Sequence, residues 1–302
     1  MGVGIRKRLV VTGLQGQVVR CLADRGTLSG MFEVIALGRP CLDLSQPETI
    51  FRAIEASTPD VLISAAAYTA VDQAEAEPAL AQQINGTAAG KLAKSAAELN
   101  VPIIHLSTDY VFDGNKDGPY VETDPVAPLG VYGRSKLSGE EAVAAATYNH
   151  AILRTAWVYS PYGKNFLKTM LRLAETRDTI NVVADQIGNP TSAEDIADGL
   201  LTVAGNLLER SDEALRGTFH IAGAGNASWA EFAAEIFANA RALGAPFAEV
   251  LPIPSSAYPT PTKRPANSQL DCDKLAAAHG VRLPAWQAST AKVVAKLLSK
   301  CP

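Results

Sequence analysis

The sequence predicts an α/β protein, a doubly wound parallel sheet with helices on both faces and a smaller, partly interleaved C-terminal domain. Three observations predict it. Up to about residue 160, short apolar runs alternate with helical stretches. The apolar runs are continuous rather than alternating with polar residues, as expected of strands buried on both faces. Beyond residue 160 the rhythm changes and leads into a long loop marked by Pro252, Pro254, Pro259, Pro261 and Pro265. A loop of that length in a compact domain is usually functional or disordered.

The elements follow in order. Leu9-Val10-Val11 reads as the first strand, and Thr12-Gly13 opens the turn into a helix near 17–29. Phe32–Leu37 is the second strand. Gln46–Ser57 reads as a helix, with Pro47 at an early position that helices tolerate. Val61–Ala65 is a strand, Pro78–Leu99 a long Ala-rich helix, Val101–Ser107 a strand, Leu129–Ala146 a helix and Ala151–Val158 a strand. In the second half, Asn165–Thr176, Ala193–Leu208 and Trp229–Leu243 read as helices, and Ile180–Val183 and Thr218–Ala222 as strands. The expected division places 1–160, with about 181–222, in a Rossmann-type dinucleotide domain. Residues 223–302, with 161–180, form the substrate-binding domain.

Composition narrows the function. With 302 residues, 47% of them hydrophobic, the chain can build one large or two smaller cores. A net charge of −4 and the lack of a Lys/Arg run argue against a nucleic-acid partner. No segment approaches the ~18 apolar residues of a membrane span. The basic start, Met1 to Arg8, runs into glycine-rich sequence and reads as the lead into a strand rather than an export signal. Cys21, Cys41, Cys272 and Cys301 show no zinc or redox spacing, which suits reduced thiols and a cytoplasmic location. His105, His150, His220 and His279 have no ligand spacing and are expected to be structural or at the surface.

The chemistry lies in two places. Gly13 and Gly16 follow the first strand and open a helix, together with Gln15, Gln17 and Val18. Glycines there let backbone approach a pyrophosphate, and the helix N-terminus favours its charge. Where the second strand ends, an acidic residue would select NAD; Arg39 stands there instead, suited to a 2′-phosphate, so NADPH is expected, with NADH use left open. Farther on, Tyr132 and Lys136 share a helix face at i and i+4. An ammonium beside a phenol favours the phenolate, turning tyrosine into an acid/base group near neutrality. The upstream run Leu106–Phe112 carries the hydroxyl pair Ser107-Thr108. Together these look like the acid/base machinery of a nicotinamide-dependent ketone reductase.

The glycine turn is similar to the Gly-x-x-Gly-x-x-Gly form of the extended short-chain dehydrogenase/reductases, with Val19 at the third glycine. That substitution is expected to hold the helix slightly off the strand. Ser64-Ala65-Ala66-Ala67-Tyr68-Thr69-Ala70-Val71-Asp72 resembles the Asn-Ala-Ala-Ala-(His/Tyr)-Thr-x-Val-Asp segment of dTDP-4-dehydrorhamnose reductases, with Ser64 for the asparagine. Residues 107–114, 132–136, 154–159, 165–166 and 185–191 resemble further segments of that family. So does the loop 258–268, ending in Arg264-Pro265-Ala266-Asn267-Ser268. The ordered set, from residue 13 to about 270, identifies the chain as resembling a member of that family.

The resemblance implies NADPH-dependent reduction of the C4 ketone of dTDP-4-dehydro-L-rhamnose, to give the activated sugar of surface polysaccharides. It implies Tyr132 as proton donor, Lys136 as the group that lowers the phenol's pKa and holds the nicotinamide ribose, and Thr108 as polariser of the carbonyl. Asp43, Leu44, Ala65, Ala66, Ala67 and Tyr68 would line the cofactor. Asp109, Tyr110, Trp157 and Asn165 would meet the sugar, and Arg264 and Asn267 the nucleotide diphosphate. Some relatives are magnesium-linked dimers using glutamates. Here the early helix glutamate is replaced around Arg20-Cys21 although Glu194 remains, so magnesium is doubted and a monomer or homodimer is expected. Three other readings stay open. One is a reductase of another 4-keto nucleotide sugar, or of opposite C4 stereochemistry. Another is a cofactor-binding regulatory subunit, normally marked by loss of the tyrosine or lysine. The third is an epimerase or dehydratase, although dehydratases pair the hydroxyl residue with Asp-Glu where this chain has Asp109-Tyr110.

Overall fold

A computed structural model describes residues 6–299. Met1–Ile5 of the basic start, and Cys301, lie outside them. β1 (Lys7–Thr12) turns into α1 (Gln17–Ser29), followed by β2 (Phe32–Leu37), α2 (Ile50–Ala56) and β3 (Val61–Ser64). Then come α3 (Val71–Ala74), α4 (Pro78–Gln82), α5 (Ala88–Glu98), β4 (Ile103–Thr108), α6 (Val131–Ala146) and β5 (His150–Thr155). The second half holds β6 (Val158–Tyr159), α7 (Phe166–Ala174), β7 (Thr179–Val183), β8 (Ile187–Gly188), β9 (Thr191–Ser192), α8 (Ala193–Glu209) and β10 (Gly217–His220). It closes with β11 (Ala227–Ser228), α9 (Trp229–Ala242), β12 (Glu249–Ile253), α10 (Asp273–His279) and α11 (Trp286–Leu298).

The main sheet has the order β2-β1-β3-β4-β5-β10, and every pairing in it is parallel. Its strands are the continuous apolar runs of the sequence; Leu9, Val10, Val11, Leu62, Ile63 and Ile103 have no exposed surface. One face packs on α1 and α8 through Val19, Leu22, Ile196 and Leu200. The other packs on α2 and α5 through Ile50, Ile54 and Leu92. Chain order reverses between β1 and β3. In open sheets of this kind the ligand crevice lies beyond the carboxyl ends of the strands at such a reversal. Val19, at the position of the absent third glycine, is a buried core residue between α1 and the sheet.

The smaller unit has its own core, formed by Tyr159, Leu167, Ile180, Val182, Phe232, Ile236 and Val293. β7 pairs in parallel with β12, which is not among the expected strands. The boundary drawn from sequence at residue 181 passes through β7. α8 and β10, by contrast, pack in and on the main sheet, between segments of the smaller unit.

Several elements differ from expectation for identifiable reasons. The helix expected over Pro78–Leu99 is interrupted by a π-helical stretch at Gln83–Thr87. There the Asn85 side chain turns inward to bond the backbone N–H and carbonyl of Tyr68 (2.8 and 3.0 Å) and the Ser135 hydroxyl (2.9 Å). The strand expected over Ala151–Val158 ends at Thr155, and Trp157, at φ +47°, breaks it before β6 pairs with β9. The N-terminal part of the helix expected over Gln46–Ser57 is a 3-10 turn at Pro47–Thr49.

Candidate active site

The β1–α1 turn is shaped for an anion. Gly13 has φ +102°, and a Cβ on it would lie 3.4 Å from both Ala66 Cβ and Val19 Cγ2. The turn therefore brings backbone close in a conformation that L side chains rarely adopt. The Gly13 N–H itself is given to the Leu37 carbonyl (2.6 Å), so Gly13 shapes the turn rather than supplying a donor. Gly16 caps α1 without a side chain, and no acidic residue occupies the first turn. The leading N–H groups and positive end of the helix thus keep their affinity for an anion. Gln15 is exposed and Val18 half-buried beside them. Gln17 is turned away to the smaller unit: its amide donates to the Val158 carbonyl (3.3 Å) and accepts from Ser160 and Asn165 (2.9 Å each).

The neighbouring loops complete this end. The Thr12 hydroxyl accepts the N–H groups of Ala65 and Ala66 (3.0 Å each), which ends β3 and turns the Ala65-Ala66-Ala67 segment beside Gly13. Tyr68 is held by Asn85 and gives its hydroxyl to Glu77 (2.7 Å). Arg39 is exposed just past β2. Asp43, close enough to feel the Arg39 charge, is held below the ordinary carboxylate range chiefly by hydrogen bonds from Ser45. Leu44 is buried in the core beneath.

The catalytic candidates meet where β4 and α6 end and begin. Gly133 makes this junction: a Cβ there would lie 2.2 Å from the Tyr110 carbonyl oxygen, so only glycine lets the first turn of α6 dock on the turn after β4. Tyr132 and Tyr110 then pack edge to face, their ring centroids 5.5 Å apart. Thr108 donates to Asp109 Oδ1 (2.9 Å) and accepts the Tyr110 N–H (3.2 Å). Burial pushes the Tyr132 phenol up to about 12, offset in part by the Thr108 hydroxyl and reinforced by Asp109. Burial also raises the Asp109 carboxyl to about 6; this side chain is 2% exposed and its Oδ2 has no partner.

Lys136, expected to lower the Tyr132 pKa, directs its ammonium at β4 in the free protein. Its Nζ bonds the Leu106 carbonyl (2.6 Å) and lies 3.4 Å from His105 Nε2. Its own pKa falls to about 8, chiefly because it is buried, against the attraction of Glu140. Behind it, Glu140 forms a buried pair with Arg154 (2.7 Å) and accepts the Ser107 hydroxyl (2.5 Å).

A cleft of about 1200 Å³ lies between the smaller unit and the Pro-rich loop. It is lined by Leu129, Phe166, Met170, Trp229, Tyr258 and Arg264, and it reaches the entrance to α6 without including Tyr132. The loop is pinned across the main domain by Thr262, which bonds Val71 and Asp72, and by Arg264 Nη2 on Asp72 (3.2 Å). Arg264 Nε is buried without a partner.

Three expected substrate contacts are otherwise engaged. Asn165 caps α7 through Lys168 N (3.0 Å) and spends its amide on Gln17 and the Ser160 and Tyr162 carbonyls. Asn267 donates to the Lys116 and Gly118 carbonyls (2.7 Å each) and accepts from Gln269, which fixes the loop. Trp157 stacks on Trp229 (3.6 Å between centroids, 6° between planes) and donates to Ser268. Trp229 is the member of that stack that lines the cleft. Sequence reasoning missed it; the capping box of Ser228 and Glu231 that sets it at the first position of α9 was visible.

Among the described residues no three His, Cys, Asp or Glu side chains group as a metal site. Glu194 is bound to the Lys296 ammonium (2.6 Å). Among the same residues no helix is long and apolar enough to cross a membrane.

Comparison with known proteins places this geometry. The family model described as the RmlD substrate binding domain matches residues 7–299. The dTDP-4-dehydrorhamnose reductase of Sinorhizobium fredii is 52% identical over 291 residues, 96% of this chain and 98% of its own. Among solved structures, the dTDP-4-dehydrorhamnose reductase of Clostridium acetobutylicum superposes with a TM-score of 0.89 at 36% identity, covering 96% of this chain and 99% of its own. That of Bacillus anthracis, in complex with NADP, has a TM-score of 0.89 at 32% identity, covering 97% and 100%.

Proposed function

The chain belongs to the dTDP-4-dehydrorhamnose reductase family, and on that premise we propose how its own residues carry the reaction. The reaction is NADPH-dependent reduction of the C4 ketone of dTDP-4-dehydro-L-rhamnose to dTDP-L-rhamnose. The observation that carries the reading is the docking of the first turn of α6 on the turn after β4, which sets Tyr132 edge to face with Tyr110 beside Thr108, with Lys136 one helical turn on.

The residues present fit a phosphorylated dinucleotide. The Gly13 cradle and the uncapped start of α1, with Gln15, Gly16, Gln17 and Val18, would hold the pyrophosphate, Arg39 a 2′-phosphate, and Asp43 with Ala65–Tyr68 the adenosine side. When bound, NADPH supplies the hydride. Tyr132 holds its proton throughout the neutral range and gives it to the ketone oxygen as the carbonyl π electrons collect there. The phenolate left behind regains a proton from solvent. Thr108 has one hydroxyl proton, directed at Asp109 in the free protein; turned to the ketone oxygen, it polarises the carbonyl. Lys136 has one N–H beyond those directed at Leu106 and His105, and we assign that donor to the nicotinamide ribose. Arg264, with an unpartnered Nε at the cleft wall, suits the diphosphate. Trp229 offers the sugar or base an apolar face. The donor set around Glu194 does not fit a divalent cation, since Lys296 already neutralises it, and no step runs through one.

Absorbance loss of NADPH with dTDP-4-dehydro-L-rhamnose, and NMR of the product, test this. Turnover to dTDP-L-rhamnose, reduced at least ~10²-fold in Tyr132→Phe, is the expected result. Formation of the C4 epimer, or unchanged turnover in the variant, overturns it.

A further inference from the structure

Resting on the assignment of Lys136 to the reaction, we propose that His105 is a positioning residue for it. The buried imidazole accepts a hydrogen bond from the ammonium, and Ser64 fixes the ring in the form able to do so. The three side chains form a chain across three elements. Ser64 ends β3, His105 lies within β4 and Lys136 is in α6; they are 2%, 2% and 3% exposed. His105 Nδ1 is 3.0 Å from Ser64 Oγ, and Nε2 is 3.4 Å from Lys136 Nζ.

Charge decides the tautomer. An ammonium has donors only, so Nε2 must present its lone pair, and the ring proton resides on Nδ1 and goes to Ser64. Burial and the Lys136 charge both hold His105 neutral, so it never competes as a cation. The Leu106 carbonyl and the His105 ring are the two acceptors that steer Nζ. Ser64 immediately precedes Ala65 and Ala66, whose N–H groups bond Thr12. The chain therefore ties the loop beside the dinucleotide turn to the catalytic lysine. It also explains a serine at position 64, whose hydroxyl faces a buried ring and not the crevice.

Other charged groups around Lys136 are few. On α6, Tyr132 lies one turn before it and Glu140 one turn after, the latter locked to Arg154 of β5. Asp109 follows β4, and His150 of β5 acts on His105. Glu140 alone favours the charged lysine by Coulomb attraction, so a neutral acceptor at 105 adds to it.

The test compares His105→Phe, which keeps bulk and removes both ring nitrogens, with His105→Gln, which keeps an acceptor and a donor, and with Ser64→Ala. Two readouts are taken: kcat and KM for the nucleotide sugar against pH, and the lysine Cε signal titrated by NMR in the free protein, identified by its loss in Lys136→Met. Loss of a hydrogen bond to a charged group predicts a kcat fall of roughly 10-fold or more in His105→Phe, with KM little changed. The lysine titration, near 8 in the parent, and the alkaline limb of kcat both move to lower pH. His105→Gln restores most of both, and Ser64→Ala shows a smaller shift in the same direction. An unmoved lysine titration in His105→Phe and in Ser64→Ala overturns the proposal, even if activity falls through a folding defect. If His105→Phe does not fold, the same two readouts in His105→Gln and Ser64→Ala decide it. Full turnover in Lys136→Met instead overturns the underlying assignment of Lys136.

Discussion

Asp109→Asn is expected to stabilise the protein at alkaline pH relative to acid pH while damaging its function. In the folded chain the Asp109 carboxyl is raised from 3.8 to about 6, chiefly by burial. The sign follows from linkage. A group whose folded pKa is raised contributes its full stability below the unfolded value and loses it as pH rises through the folded value. The shift is about 2 units, and at ~1.4 kcal/mol per unit, ionising Asp109 costs the native state about 3 kcal/mol by pH 8. About 1 kcal/mol of that is already lost at pH 4.5, where the unfolded carboxyl is mostly ionised. The variant does not titrate, so its stability relative to the parent should rise by about 2 kcal/mol between pH 4.5 and pH 8. Any fixed effect of the buried amide cancels in that difference. Urea unfolding at the two pH values measures it directly. An equal offset at both, or one that grows toward acid, would refute the reasoning.

Three further outcomes are expected. Glu140→Met should destabilise by ~3–5 kcal/mol, because Arg154 is then left charged and buried, whereas Glu140→Met with Arg154→Met should recover much of the loss; denaturant melts of the single and double variants read this, and equal losses would sink it. Arg39→Asp should shift the NADPH/NADH ratio of kcat/KM toward NADH, and an unchanged ratio would remove Arg39 from the 2′-phosphate. Arg264→Ala should raise KM for the nucleotide sugar with little change in NADPH binding; because Arg264 also pairs with Asp72, a melt in parallel separates contact from loop anchoring.

The main sheet was legible because a strand buried on both faces must be a continuous apolar run, and Leu9–Val11 and Val61–Ile63 are such runs, whereas the edge strand Phe32–Leu37 carries exposed Glu33 and is only partly buried. The family-like motifs likewise singled out Gly13, Thr108, Tyr132 and Arg264 as candidate site residues. What sequence could not give was direction. Asn165 and Asn267 stand in family-like segments, yet their amides close loops, since an asparagine offers four hydrogen-bonding sites that nearby backbone readily takes. The break at Gln83–Thr87 answers a demand made by Tyr68 and Ser135, residues 17 and 50 positions from Asn85, which no local propensity records. β12 carries Pro252 and lies in a stretch read as loop; it became a strand only because β7 offers it a partner.

Helical spacing alone also does not give the partners of Lys136. The i, i+4 relation puts Lys136 on the same face as Tyr132, and the simplest inference is a phenol acidified by its neighbour. The structure directs the ammonium to a carbonyl and a ring on β4 and leaves the phenol at about 12. For a reductase this arrangement suffices. As hydride adds to the carbon, the oxygen that takes up the carbonyl π electrons becomes an alkoxide, a far stronger base than a phenolate. A phenol near 12 gives up its proton to such a base downhill, and keeps it at neutral pH until the base exists. Early acidification would instead leave part of the enzyme as phenolate, unable to act as the acid. The Lys136 charge, held one turn away by the Leu106 carbonyl and the His105 ring, stabilises the phenolate once it forms, while in the free protein burial dominates and the phenol keeps its proton.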